Sequence, residues 1–414
     1  MPKIEHSFLN IFNLITLLLI LSSCLQITYS WNYEYPALVD SYDYKDTLPK
    51  PTLFNKVNRD ELENGESHLI KEWVIGGKVG KNVFGECSGI SFDNKGDLYV
   101  LHRGKRIWDI NSFNHSHFNH INDGPIKEKT LLKLNPKDGK IVDSYFSKKF
   151  YMPHGLTIDQ EDNVWITDVA MHQVFKYEMG NFAKPSLVLG TKFKAGHDNY
   201  HFCQPTDVAV SSTNGQFFVS DGYCNHRIIK YDANGNIISI FGKSDSYWLG
   251  SQRQNFLMTP HSLALIQNLD LICVADRENS RILCLKAGVL NMDNLDIYSA
   301  YNNPRLTNFL PRFSYKIVDN KGHNYRPYAI SYCTKDGKMY VLCQSDNENT
   351  PFIALSGELS LQDDTLNSVS WYQFPISSRP HDLTVEDIAN SNDKNIYVAD
   401  LSQMVWKLKE TGNE

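Results

Sequence analysis

Basic residues are not in excess in this sequence: 41 lysines and arginines stand against 47 aspartates and glutamates, giving a net charge of −6. A basic surface stripe that would bind nucleic acid is therefore not expected, and an anionic substrate must be held by individual arginines. Long apolar runs are missing after residue 30, so no membrane span is predicted there. What the chain does contain is 42% hydrophobic residues, which is enough to bury a large core.

The first 30 residues have the pattern of a secretory signal peptide. Lys3 precedes an apolar core from Ile11 to Leu21 that is too short to span a bilayer, and small residues up to Ser30 suit cleavage. The LSSC sequence ending at Cys24 also fits a lipoprotein box, which is the alternative. We expect a protein of the secretory granule lumen or the extracellular space, with an extended lead-in over residues 31–70.

A short pattern recurs along the chain: an apolar strand that usually follows a proline, a polar turn and further strands. Its six openings are CSGISF, PHGLTI, PTDVAV, PHSLAL, PYAISY and PHDLTV, which begin at Cys87, Pro153, Pro205, Pro260, Pro327 and Pro380. Units this small cannot bury their own faces, so they pack against one another in a ring. The sequence therefore predicts an all-β fold, a six-bladed β-propeller over residues 71–414.

Three parts of this ring are less regular. The first unit is expected to open near Trp73, and the stretch from Ser345 to Ser370 is interpreted as a loop-bearing insertion after a weak fifth unit. The last strand, in NIYVADLSQMVWKLK, fits either the first or the sixth blade. How the ring closes is therefore left open.

Histidine occupies one position of the repeat in alternate units. The second residues of the six openings are, in order, Ser88, His154, Thr206, His261, Tyr328 and His381. The first strand of each propeller blade lines the central channel, so equivalent positions in alternate blades point at a shared axis. Three imidazoles there would form a zinc site with an open fourth position, although channel-lining histidines satisfied by water or backbone are the structural alternative.

Asp382 follows His381 directly, where other units have glycine, serine, alanine or, in unit three, Asp207. A carboxylate deep in a channel needs a cation or good hydrogen bonds. Calcium completed by carbonyl oxygens is one interpretation, and a hydrogen bond to a neighbouring group is the other.

Arg103, Tyr223 and Arg277 lie just past second strands, on the same side of each unit. Solvated surface arginines are the simpler reading, but an arginine can also hold a carboxylate and a tyrosine can move a proton. Four aspartates end second strands, and for these we predict a structural role in capping the following turn. They are Asp168, Asp221, Asp276 and Asp400.

Removal of the leader leaves an odd number of cysteines in a compartment that favours disulfides. Cys273 and Cys284 lie opposite each other on adjacent strands, and Cys203 and Cys224 bracket one strand pair. Cys87, Cys333 and Cys343 remain without an assigned partner.

The first unit carries a histidine-rich insertion, with His115, His117 and His120. These could bind a metal, but solvated loop histidines are the favoured interpretation. Asn114 begins a glycosylation sequon within the same insertion, which also favours a surface loop.

Several long motifs carry a family resemblance. PHGLTID, TDVAMHQVFKY, HFCQPTDVAV, VSDGYCNHRI, PHSLAL, CVADRENSRI and RPHDL resemble the peptidyl-α-hydroxyglycine α-amidating lyases, from about Trp73 to Lys409. That family is a six-bladed propeller of NHL-type repeats. The resemblance implies zinc on His154, His261 and His381.

The resemblance also implies roles for other residues of this chain. A structural calcium ion would bind the Asp382 carboxylate and the carbonyls of Ile90 and Leu156. Tyr223 would act as base on the substrate hydroxyl, with a pKa lowered by zinc and Arg103, while Arg103 and Arg277 would steer charge and hold a carboxylate. The family disulfides fall on Cys203 with Cys224 and on Cys273 with Cys284. Arg379 departs from the family, which has methionine before the Pro-His-Asp motif.

The expected function is thus zinc-dependent cleavage of peptidyl-α-hydroxyglycine to a peptide amide and glyoxylate. No monooxygenase half precedes the propeller in this sequence, so we expect a stand-alone lyase that acts on peptides supplied by a separate peptidylglycine monooxygenase. Two other functions are kept as alternatives. One is a calcium-dependent propeller lactonase or esterase, and the other is a non-enzymatic extracellular NHL-type binding module.

Overall fold

The computed structural model describes residues 69–76, 84–242, 256–290, 311–318, 323–346, 350–359, 366–386 and 394–410. The predicted signal peptide and nearly all of the lead-in lie outside these residues, and the lead-in's last two positions, Leu69 and Ile70, belong to a strand. No helix within the described residues is long and apolar enough to cross a bilayer.

Six four-stranded antiparallel sheets, the blades, make up the described chain. Blade 1 contains β2 (Cys87–Phe92), β3 (Leu98–His102), β6 (Lys129–Leu134) and β7 (Ile141–Ser147). Blade 2 contains β8 (Pro153–Ile158), β9 (Val164–Asp168), β10 (Gln173–Tyr177) and β11 (Leu187–Leu189). Blade 3 contains β12 (Pro205–Val210), β13 (Phe217–Asp221), β14 (Arg227–Tyr231) and β15 (Ile237–Phe241).

Blade 4 contains β16 (Pro260–Ile266), β17 (Leu271–Asp276), β18 (Arg281–Lys286) and β19 (Pro311–Val318). Blade 5 contains β20 (Asn324–Cys333), β21 (Lys338–Ser345), β22 (Phe352–Leu359) and β23 (Leu366–Gln373), and it joins blade 4 through a short β19–β20 pairing. Blade 6 contains β24 (Pro380–Val385), β25 (Asn395–Asp400), β26 (Met404–Glu410) and β1 (Leu69–Gly76).

The remaining elements are small. A hairpin of β4 (Phe113–Asn114) and β5 (His117–Phe118) lies in the insertion of blade 1. Short 3-10 helices span Ile121–Asp123, Gln267–Leu269 and Arg277–Asn279.

The innermost strands contact one another in a closed cycle, in the order β2, β8, β12, β16, β20, β24 and back to β2. Among the residues that the structure describes, one cluster of buried apolar side chains lies between each pair of adjacent blades, six in all. Burial of apolar area between blades, rather than within any one of them, therefore stabilises the ring. The predicted six-bladed all-β propeller is confirmed.

Two expectations about its edges were wrong. Trp73 does not open blade 1, because β1 pairs with β26 and forms the outer strand of blade 6. The stretch from Ser345 to Ser370 is not chiefly an insertion, because it contains β22 and the beginning of β23. The outer strand β1 gives a weak signal because one of its edges is unpaired and most of its side chains are at least partly exposed. β22 is instead a buried strand paired on both edges, whose continuous apolar run lacks the alternation of a half-exposed strand.

The predicted capping by strand-end aspartates is confirmed for Asp168 and Asp400. In the bonds that the structure describes, Asp221 and Asp276 instead accept from side chains that follow them and from one backbone N–H of the preceding loop. Asp168 accepts backbone N–H bonds from four residues on both sides of its strand end, Tyr151, Met152, Ala170 and Met171. Asp400 similarly accepts N–H bonds from Arg379 and Ser402. These bonds fix the loops that lie on one face of the ring, which is where the inner strands begin.

Candidate functional site

Three histidines from alternate blades converge at the centre of the ring. His154, His261 and His381 begin the inner strands of blades 2, 4 and 6, and one ligand atom from each lies within 4.8 Å of the others. All three side chains are buried. The structure thus brings together the predicted zinc ligands, and this donor set could bind a metal ion.

Each imidazole is held through its Nδ1 atom by a backbone carbonyl of the next blade. The Nδ1···O distances are 2.9 Å from His154 to Thr206, 2.7 Å from His261 to Tyr328 and 2.8 Å from His381 to Ser88. A carbonyl can only accept, so Nδ1 carries the proton and the lone pair of a neutral ring is on Nε2. A carbonyl that orients the ligand ring in this way is a common partner of metal-binding histidine.

Close approach of the inner strands makes these bonds possible. A Cβ atom on Gly155 would lie 2.3 Å from the carbonyl oxygen of Thr206, the atom that accepts the bond from His154. Any larger residue would therefore push β12 away from β8. The glycine after His154 keeps this acceptor in reach.

The Tyr223 hydroxyl lies between two of the imidazoles. Its oxygen is 2.9 Å from Nε2 of His154 and 3.0 Å from Nε2 of His261. One hydroxyl hydrogen cannot satisfy two lone pairs, so at least one Nε2 atom faces another lone pair. A bound cation would accept the lone pairs of these Nε2 atoms and of the Tyr223 oxygen. The residues present therefore fit a metal ion.

Burial keeps the histidines neutral. It lowers the pKa of His154 and His261 well below the usual value, and neighbouring imidazoles and arginines lower it further. Burial, followed by the charge of Arg103, lowers the pKa of His381 to about 3. Neutral imidazole is the form that binds a metal.

Arg103 is buried beside this cluster, with 1% of its surface exposed. Its Nε donates to the carbonyl of Pro153, and its Nη1 donates to Glu86 at 2.9 Å. Its Nη2 is buried without a hydrogen-bond partner among the described residues. An unsatisfied buried guanidinium N–H is costly, so this atom marks a place for an anion.

Arg277 and Trp108 enclose Tyr223 from two sides. The guanidinium of Arg277 lies 5.4 Å from the Tyr223 ring, and the Trp108 ring lies 5.0 Å from it. Burial raises the pKa of Tyr223, while Arg277 and Arg103 act in the opposite direction. The lowering effect of Arg103 is the one expected from sequence, whereas burial opposes it and the contribution of zinc stays a prediction.

Two partly buried acids, Asp207 and Asp382, line the same cavity as the three histidines. Asp382 accepts N–H bonds from Ile90 at 3.0 Å and from Leu383, and Asp207 accepts N–H bonds from Val208 and Leu263. Burial raises the pKa of Asp207 to about 7 and, with the charge of Asp207, raises that of Asp382 well above its usual value. A cation bound between the two carboxylates would offset the cost of burying their negative charges close together.

A small cavity of about 10 Å³ joins the acid pair to the histidine cluster, with room for about one water-sized sphere. Its walls include Ser88, Gly155 and Thr206 as well as both aspartates and the three histidines. Of the predicted calcium ligands, Ile90 contacts Asp382 through its N–H, and the carbonyl roles of Ile90 and Leu156 stay predictions.

Three contributors to this site, Asp207, Glu86 and Trp108, were given no role from the sequence. Asp207 could have been found from the sequence. It occupies the same repeat position as Asp382, and its blade, the third, lies directly opposite the sixth in a ring of six. Glu86 and Trp108 could not have been found, because both lie outside the inner strands, where the repeat gives no register.

The structure contains both predicted disulfides, Cys203–Cys224 and Cys273–Cys284. Asn114 is exposed in the β4–β5 hairpin, where glycosylation stays a prediction. The insertion histidines form no group that could share an ion within the described residues.

Fold and site together define a β-propeller with a three-histidine centre, able to bind a metal ion, at its axis. The NHL repeat family matches residues 150–177, 202–231 and 257–285, which lie in blades 2, 3 and 4. The chain is 43% identical over 254 residues to a Caenorhabditis elegans protein named probable peptidyl-alpha-hydroxyglycine alpha-amidating lyase pgal-1, covering 60% of this chain and 70% of that one. This chain belongs to the peptidyl-alpha-hydroxyglycine alpha-amidating lyase family.

Other relatives are longer. The chain is 42% identical over 224 residues to Drosophila melanogaster peptidyl-alpha-hydroxyglycine alpha-amidating lyase 2, covering 54% of this chain and 52% of that one. It is 36% identical over 330 residues to the rat (Rattus norvegicus) peptidylglycine alpha-amidating monooxygenase, covering 79% of this chain. The match spans only 30% of the rat protein's length.

Proposed function

We propose that this protein cleaves peptidyl-α-hydroxyglycine to a peptide amide and glyoxylate, the lyase step of C-terminal peptide amidation. The observation that carries this proposal is the position of the Tyr223 hydroxyl, within 3.0 Å of Nε2 of both His154 and His261. Near it is Arg103, whose Nη2 has no hydrogen-bond partner among the described residues. A substrate with neighbouring hydroxyl and carboxylate groups matches this arrangement. Family membership supports the same reaction.

Arg103 binds the substrate carboxylate through Nη2, with Arg277 as a second positive charge near Tyr223. Tyr223 removes the proton of the α-hydroxyl. As the carbonyl forms, the bond from the α-carbon to nitrogen breaks, and its electron pair stays on nitrogen. Nitrogen takes up one proton for the one that the hydroxyl loses, so the reaction has no net gain or loss of protons. The peptide leaves as an amide and the two-carbon fragment leaves as glyoxylate.

Zinc is the proposed ion for the His154, His261 and His381 centre, because three neutral imidazoles with an open position suit it. When bound, zinc acidifies hydroxyl groups and would offset the rise that burial causes in the pKa of Tyr223. Calcium is the proposed ion for the Asp382 site, with Asp207 as a second carboxylate and the carbonyls of Ile90 and Leu156.

We further propose that the protein acts in secretory granules or outside the cell, glycosylated at Asn114. Its substrate must come from a reaction that hydroxylates the α-carbon of a C-terminal glycine, which a separate peptidylglycine monooxygenase would supply. The name of the rat relative, which includes that activity, supports this order of reactions.

Metal content and glyoxylate release test the proposal together. The full chain, purified from a secretory host, should contain about one zinc ion per molecule and release glyoxylate from a hydroxyglycine-extended peptide. His261→Ala should lose both properties, because two ligands hold zinc weakly. His120→Ala, an exposed histidine of the insertion, is the control and should keep both.

Other outcomes would replace the proposal. Calcium without zinc, together with lactone or ester hydrolysis, would favour the calcium-dependent hydrolase, for which the Asp207–Asp382 pair is the supporting feature. Neither metal nor turnover would favour a binding module. Stoichiometric zinc in His261→Ala would contradict the three-ligand centre.

A further inference from the structure

Glu86 is a buried carboxylate that connects the proposed catalytic arginine to the outside of the ring. One of its oxygens accepts bonds from Nη1 of Arg103 at 2.9 Å and from the backbone N–H of Trp108 at 3.0 Å. The other accepts a bond from Nη2 of Arg379 at 2.8 Å. A single acid, 1% exposed, thus holds two guanidinium groups.

Arg379 lies just before the inner strand of blade 6 and is linked to Arg103 through Glu86. Arg379 is two residues before His381. It lies on the face of the ring where the inner strands begin and the second strands end, which is the face that also carries Arg103, Tyr223 and Arg277. Its side chain is 54% exposed, whereas that of Arg103 is 1% exposed. Arg379 is therefore the most exposed of the three arginines and the one most accessible to a solvated part of a substrate.

The two ends of the Arg379 guanidinium have different surroundings. Glu86 accepts a hydrogen bond from Nη2 of Arg379. Because the side chain is 54% exposed, its remaining N–H groups are available to a ligand from solvent. An arginine that is already held by one carboxylate loses little rotamer freedom when it binds a second. Its planar fork suits a carboxylate.

We propose that Arg379 is a specificity-determining residue that favours peptides with an acidic side chain immediately before the α-hydroxyglycine. This inference rests on the proposed lyase function. With the substrate carboxylate at Arg103, the peptide runs outward, and its next side chain is the first that can reach Arg379. Glu86 acts as a positioning residue, because it sets the place of both guanidinium groups.

Matched peptides test this assignment. Three hydroxyglycine peptides would differ only in the preceding residue: glutamate, glutamine or lysine. We expect kcat/KM for the glutamate peptide to exceed that for the glutamine peptide by roughly 3-fold to 5-fold at low salt, the range of a partly exposed ion pair. The difference should be mainly in KM, because a remote contact binds ground and transition states alike.

Arg379→Met should bring the glutamate-to-glutamine ratio close to one, and Arg379→Glu should favour the lysine peptide. Lys140→Met, which removes an exposed positive charge on another blade, is the matched control and should keep the wild-type ratio. An unchanged ratio in Arg379→Met would overturn the proposal, as would a wild-type ratio of one.

A binding measurement separates this proposal from the lyase assignment. Fluorescently labelled peptides ending in Glu-Gly or Gln-Gly carry the carboxylate but no hydroxyl to react, and their affinities follow from anisotropy. Selective binding of the Glu-Gly peptide that depends on Arg379, without glyoxylate release from any hydroxyglycine peptide, would contradict the proposed lyase function. It would still support the role of Arg379 in peptide selection. Equal affinities for both peptides would remove the specificity role whether or not turnover occurs.

Discussion

Tyr223 is the residue that ties the histidine centre to proton transfer. It lies after a second strand, which would place it at the surface of an isolated sheet, yet its hydroxyl reaches histidines of two different blades. Burial raises its pKa, and only positive charge nearby opposes that rise. The residue therefore depends on its partners to act as a base.

Tyr223→Phe should lower turnover of a hydroxyglycine peptide by about 10²-fold to 10⁴-fold, the usual contribution of a positioned general base. Zinc content should not change, because the three imidazoles keep their carbonyl partners. Glyoxylate release and metal analysis measure the two effects.

Tyr328→Phe is the matched control, since its hydroxyl contacts only Gln344, at 3.5 Å, among the described residues, and its ring stays against Arg277. It should remain within a few-fold of wild type. Full turnover by Tyr223→Phe would assign the base to another group.

Among the secondary-structure elements, the turns after second strands carry the proposed chemistry. The β13–β14 turn holds Tyr223 and is anchored twice, by the Asp221 carboxylate bonded to the N–H of Cys203 and by the Cys203–Cys224 disulfide. The Cys273–Cys284 disulfide instead joins directly paired positions of β17 and β18. Loss of the Cys203–Cys224 disulfide should therefore reduce activity more than loss of the Cys273–Cys284 disulfide.

A protein with both Cys203→Ser and Cys224→Ser should lose about tenfold or more of its kcat/KM, because small displacements of a catalytic group are costly. The pair Cys273→Ser and Cys284→Ser should lose less activity, because ladder hydrogen bonds still hold those strands. Glyoxylate kinetics on folded samples, checked by circular dichroism, compare them. Equal losses would show that the disulfide does not position Tyr223.

Over the whole molecule, the ring depends on a strand from the start of the described chain pairing with its last strand. β1 ends at Gly76, which has φ of +92° and lies against the backbone of Gln403. A Cβ atom there would be 2.2 Å from the Gln403 carbonyl oxygen. This glycine lets the closing strand reach β26.

Gly76→Ala should lower the free energy of unfolding by about 1 to 3 kcal/mol, through both the left-handed backbone and the contact with Gln403. Gly180→Ala is the control, because Gly180 has φ of +81° but no atom near its Cβ position. Urea unfolding gives both values. If the two variants lose the same amount, the close contact at the ring closure contributes nothing.

The repeat, the alternation of histidine with other residues, both disulfides and a structural role for the strand-end aspartates could all be predicted from the amino-acid sequence. These features depend on local strand patterns and on register, which survive in any arrangement of the blades. Arg379 was also visible in sequence, as a departure from the family.

The contacts between blades could not be predicted from the sequence and are known from the folded structure. It placed Ser88, Thr206 and Tyr328, the non-histidine members of the alternation, as carbonyl acceptors for the histidines of neighbouring blades. It also brought Glu86 between two arginines and assigned β1 to blade 6. The physical reason is that these contacts join blades distant in the chain, and ring closure, which no local pattern specifies, sets their distances.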